Sequence, residues 1–146
     1  MTDADVGGTR RKPRHLEDLT DVYDFLEEVR LRPGMWVRLS SLQHLDSMLT
    51  GYRVALGIHD IAEPFDFWNP GSPSRFSEWL CHRRGRHSSL GWAVEIEREA
   101  ERSGRPAMEM FFELLDEFRA ADHQNQDSAK PDRHSPETTQ QPRDSD

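Results

Sequence analysis

The sequence predicts an all-α fold: a single compact domain of about five helices, with room for a short extended segment near 35–39. Three observations predict it. Apolar residues recur at steps of three and four in successive segments, which is the signature of helices that bury one face. Ser, Gly and Pro punctuate those segments where helices start and stop. Of the 50 apolar residues, 46 fall within 16–121, enough for one hydrophobic core without covalent staples.

Val22, Phe25, Leu26 and Val29 form the first apolar stripe, and Thr20 is placed to cap its free N–H groups. Pro33 pushes Arg32 out of the α region and Gly34 permits a tight turn, so Arg32-Pro33-Gly34 makes a corner. Met35 to Leu39 alternates weakly, hence the extended segment. Ser40 and Ser41 then offer a cap for a second stripe of Leu42, Leu45, Leu49, Tyr52 and Leu56. Gly51, unfavourable by about 1 kcal/mol inside a helix, suggests a neighbouring helix close by, and Gly57 suggests the terminator.

Residues 59–73 carry Pro64, Pro70 and Pro73 and read as a loop. Ser74 caps a third helix with Phe76, Trp79 and Leu80 inward, and Gly85 stops it. Ser88 or Ser89 starts a fourth, whose run of Glu, Arg and Ala favours helix over the local alternation at Trp92 to Ile96. Ser103-Gly104 breaks the chain, and Pro106 suits the first turn of a fifth helix bearing Met108, Phe111, Phe112, Leu114, Leu115 and Phe118. Residues 1–15 read as a disordered basic arm, 16–121 as the helical domain and 122–146 as a disordered acidic tail.

The net charge of −8 disfavours bulk nucleic-acid binding, because phosphate contacts need cations, and could steer a basic partner. Cys81 is the only cysteine, which points to a reducing compartment. No apolar run reaches the ~18 residues of a membrane span, and residues 1–15 lack the apolar core of a signal peptide. A cytoplasmic protein is expected.

Catalytic chemistry finds no constellation. Glu95, Glu97, Glu99 and Glu101 alternate with Arg98 and Arg102 and read as a solvated helix face rather than a general acid–base pair. Cys81, His82 and His87 match no metal-ligand spacing. Cys81 beside His82 makes no dyad, since adjacent helical residues point about 100° apart. There is no G-x-S-x-G elbow and no phosphate-cradling glycine loop. No catalytic, cofactor-binding or metal residue is therefore assigned.

Two features point to partner binding. Phe65, Phe67 and Trp68 place much aromatic area in the 59–73 loop; they either fold down over the core or stand as interface anchors. Arg83, Arg84 and Arg86 concentrate positive charge at a helix C-terminus, where the dipole favours cations. Their guanidinium forks could equally engage an acidic partner.

Leu26-Glu-Glu-Val-Arg-Leu-Arg-Pro-Gly-Met-Trp36 resembles the start of the ATPase domain of type II topoisomerase B subunits. That family's Asn-bearing magnesium helix and Asp-x-Gly-x-Gly loop have no counterpart here, so no ATP site is carried over. A broader pattern spans Arg32-Pro-Gly-Met-Trp36, Gly51-Tyr52, Phe76-x-x-Trp79, Gly91-Trp92 and Phe111-Phe-Glu-Leu-Leu-Asp-Glu-Phe118. It is similar to small bacterial proteins of unassigned activity, some linked to toxin–immunity loci.

The expectation is a non-enzymatic protein-binding module, immunity-type or regulatory, that masks a basic partner through an acidic surface and an aromatic loop. The alternative is a nucleic-acid-associated regulator using Arg10–Arg14 and Arg83–Arg86.

Overall fold

The computed structural model describes residues 14–129, with side chains to Asn125, and those residues are helical with no strand. A 3-10 turn at Leu16–Asp18 leads into α1 (Val22–Leu31), the one-turn α2 (Pro33–Trp36), a second 3-10 turn at Arg38–Ser40, α3 (Leu42–Ile58), α4 (Arg75–Arg84), α5 (Trp92–Ser103) and α6 (Ala107–Ala129). The core lies between α5 and α6, with α1, α3 and α4 laid around them.

The helix caps follow backbone chemistry closely. Ser41 and Ser74 each accept an N–H from three residues on, at 3.3 and 3.1 Å. At α1 the cap is Asp21, which accepts the Asp24 N–H at 2.8 Å, while Thr20 instead donates its hydroxyl to the Asp24 carboxylate at 2.6 Å. Gly85 ends α4 in the left-handed region, with the Arg86 N–H reaching back to Cys81 O and that of Gly85 to His82 O. Gly104 ends α5 in the same way.

Several expectations are corrected. The stretch 35–39 is not extended: Pro33 opens a helical turn, a 3-10 turn follows, and only Val37 between them has strand-like angles. A strand would turn Trp36 and Val37 to opposite faces. Helical turns let both face inward, Val37 fully buried and Trp36 edge-on to Phe25 at 5.5 Å. Leu39 and Ser40 take positive φ, and the Leu39 side chain stands in solvent.

Gly57 does not end α3, which runs on to Ile58. Asp60, with φ 54°, supplies the left-handed residue; the Ile61 N–H bonds Leu56 O and that of Asp60 bonds Gly57 O. No neighbouring helix approaches Gly51, which is exposed and whose missing Cβ would meet nothing within 4 Å. Helix α5 begins at Trp92 with Gly91 before it, not at Ser88 or Ser89. Helix α6 continues from Asp122 to Ala129, and the remainder of the acidic tail, like residues 1–13, lies outside the described residues.

Two carboxylates remote in sequence tie the helices together. Glu97 on α5 accepts the Leu42 N–H at 3.1 Å and the Gln43 amide at 2.7 Å, fixing the start of α3. Glu63 accepts the Val22 N–H at 3.0 Å and the Tyr52 hydroxyl at 2.8 Å, pinning the 59–73 loop to α1 and α3. Both place negative charge at a helix N-terminus, where the exposed N–H groups favour it.

Candidate functional site

The aromatic loop divides between core and surface. Phe65 stacks on Tyr52 with centroids 5.7 Å apart. Phe67, 2% exposed, sits among Phe65, Phe76, Trp92 and Phe111 at 5.6–6.5 Å. Both rings are buried rather than standing in solvent; the large apolar area of a phenyl ring goes where it is removed from water. Trp68 stays 37% exposed. Its neighbour Asn69 bonds Arg53 Nε at 3.0 Å and Phe65 O at 2.9 Å, which holds this end of the loop against α3.

The arginine cluster is already neutralised by the chain itself. Arg83 pairs with Glu117 at 3.1 Å, Arg86 with Glu95 at 3.0 Å, and Arg84 with Glu95 at 3.2 Å and with Glu99. Glu95 is therefore not part of a solvated face: it is 7% exposed and also accepts the Ser88 hydroxyl at 2.8 Å. The Ser88 hydrogen bond and the two guanidinium groups hold its carboxyl below the usual carboxylate range. The sequence hides this pairing, because the partners sit 7 to 11 residues before Glu95 and only the left-handed turn at Gly85 folds them back.

Between these groups lies a recess of about 60 Å³ lined by Cys81, Arg84, Ser88, Trp92 and Glu95 among others. It has room for a few waters but falls far below the ~300 Å³ of a ligand cleft. Buried Nε1 of Trp92 and Nε of Arg84 have no hydrogen-bond acceptor. Among the described residues no three His, Cys, Asp or Glu side chains converge as metal ligands would. Arg14, the one described cation of the basic arm, lies against Asp24 and Glu28 at 3.5 Å; Arg10, Arg11 and Lys12 lie outside the described residues.

A different surface stands out. Helix α3 buries Leu42, Leu45, Leu49 and Leu56, but it carries a second stripe on its outer side. His44, Ser47, Met48, Gly51, Val54, Ala55 and Ile58 are all exposed and, at 100° per residue, share a face about 120° wide. No Asp, Glu, Lys or Arg occurs in it. The other longer helices carry exposed charges: Arg30 on α1, Arg75 and Glu78 on α4, Arg98 and Glu101 on α5, Glu113 and Glu117 on α6. Ile58 is 73% exposed, and Ile61, 56% exposed, follows it in the 59–73 loop. Attention to the inward stripe conceals this one; the signal for it is Met48, Val54 and Ile58 spaced out of phase with the leucines.

No helix of the described residues is long and apolar enough to cross a membrane. No family model, curated protein or solved structure matches the chain.

Proposed function

We propose that this chain is a non-enzymatic protein-binding module whose contact face is the outer side of α3. One observation carries the reading: a helix face free of charge and partly apolar stands in solvent on a chain of which 32% is charged. Exposed apolar surface of this kind marks interaction sites, since leaving it wet forgoes the gain of burying it. The surrounding acidic body suits a regulatory or immunity-type protein, keeping it soluble while the face is free. Arg83, Arg84 and Arg86 each engage a carboxylate, so a phosphate backbone would have to displace an ion pair at every one, and no observation favours the nucleic-acid reading.

The test is Ile58→Glu. Ile58 touches solvent rather than the core, so circular dichroism should be unchanged, while recovery of a stoichiometric partner from host lysate, another protein or an untagged copy of the chain, should fall at least tenfold. Recovery of no partner by the unmodified chain, or undiminished recovery by the variant, overturns the proposal.

A further inference from the structure

We infer that the partner of the α3 face is a basic segment of another protein, with apolar side chains for Met48, Val54 and Ile58 and lysines or arginines for the carboxylates beside them. This rests on reading that face as a binding surface. The charge along one edge of the face is of a single sign. Tyr52 stands about 40° round α3 from Met48, where the uncharged stripe ends. Its hydroxyl donates to Glu63 at 2.8 Å, and Glu63 also accepts the Val22 N–H at 3.0 Å, which brings the start of α1 to the same edge. Asp21 caps that start. Burial raises the Tyr52 phenol, and Glu63, Asp21 and Asp24 push it further the same way, so three carboxylates bear on one hydroxyl. Asp60 adds a fourth, exposed, two residues beyond Ile58.

Most of this charge is not cancelled within the chain. Among the described residues Glu63 and Asp21 bond only neutral N–H and hydroxyl donors, which leave a carboxylate its charge. Asp24 alone meets a cation, Arg14 at 3.5 Å. Arg53, the one arginine of α3, bonds Asn69 instead.

An uncharged, partly apolar stripe edged by carboxylates selects its partner by complement. An acidic segment would bring carboxylates against carboxylates, and an uncharged one would strip water from them and offer nothing in return. Lysine and arginine answer both needs, because their long apolar stems lie along such a stripe while their charged heads reach its edge. The net charge of −8 draws a basic partner in and holds a second copy of the chain off.

Titration of the full chain with three synthetic peptides, followed by its amide NMR signals, tests the inference. Each peptide has about 14 residues, enough to span most of α3 as a helix. The first sets leucine and lysine at helical spacing, the second replaces lysine by glutamate, and the third replaces leucine by serine. The first should shift the signals of Met48, Val54, Ile58 and Asp60 with a dissociation constant on the order of 10 μM, as a small contact allows. Raising salt from about 50 to about 300 mM should weaken it about fivefold. The other two peptides should bind at least tenfold more weakly. Asp60→Lys, with unchanged circular dichroism, should weaken the first peptide about tenfold. If the glutamate peptide binds the same amides as tightly, the basic partner is overturned and the face stands. A serine peptide that binds equally well, or an Asp60→Lys variant that binds unchanged, also overturns the basic partner. If the leucine–lysine peptide shifts none of these amides, both the inference and the reading of the face fall.

Discussion

Tyr23 and Tyr52, the only tyrosines in the chain, show how single residues couple the fold to pH. Burial pushes the Tyr23 phenol well above its ordinary value, and its hydrogen bond to Asp66 pushes the same way; Tyr52 is raised by burial and by its bond to Glu63. In the unfolded chain both ionise near pH 10. A folded pKa above the unfolded one means that the stabilisation is complete below about pH 10 and is lost as pH rises beyond it. Absorbance at 295 nm should therefore stay flat through pH 10–11 and rise only together with loss of helical circular dichroism. A phenolate signal near pH 10 from the folded protein would contradict both hydrogen bonds. These bonds are not legible in the sequence, where Tyr23 and Asp66 lie 43 residues apart and Asp66 sits in a loop. The pairing of Glu95 with Arg84 and Arg86 escapes for the same reason: periodicity reports neighbours along a helix, not those that a turn brings back.

Helices were legible where local chemistry alone decides them. The caps at Ser41, Ser74, Gly85 and Gly104 match the sequence because each needs only a short polar side chain or a residue with φ > 0 at one position. Misplaced boundaries are those where two residues compete. Thr20 and Asp21 can both cap α1, and Asp21, the charged residue directly before the helix, takes the Asp24 N–H. At the end of α3 the glycine at 57 stays helical and Asp60 adopts the left-handed turn, an arrangement in which a side chain with a Cβ is strained. Asp60→Gly should therefore raise stability by about 0.5–1 kcal/mol, read as a higher denaturation midpoint at unchanged slope. A lower midpoint would mean that the Asp60 carboxylate stabilises the turn more than its backbone strains it. The polar end of α6 is not legible from apolar periodicity: Gln is a good helix residue, Asn and Asp are poor but not forbidden, and a long helix already formed extends without a new nucleus.

At the scale of the whole molecule the aromatic loop decides between two accounts of the same residues. Composition alone allows Phe65, Phe67 and Trp68 to be core or surface; the structure makes the phenylalanines core and leaves Trp68 37% exposed. The consequence is a separation of stability from association. Phe67 touches rings contributed by α1, α4, α5 and α6, so removing it leaves a cavity at the junction of four helices. Phe67→Ala should cost about 3–5 kcal/mol, as large-to-small changes in packed cores do. Ile58→Ser, on the outer side of α3, should stay within about 0.5 kcal/mol, yet sharply reduce recovery of a partner. Urea denaturation, set beside recovery of a partner from host lysate, reads the two effects apart. If Phe67→Ala proved as mild as Ile58→Ser, the loop would not be holding the helices together. If Ile58→Ser destabilised the chain by several kcal/mol, the outer side of α3 would be packed within the chain rather than free for a partner.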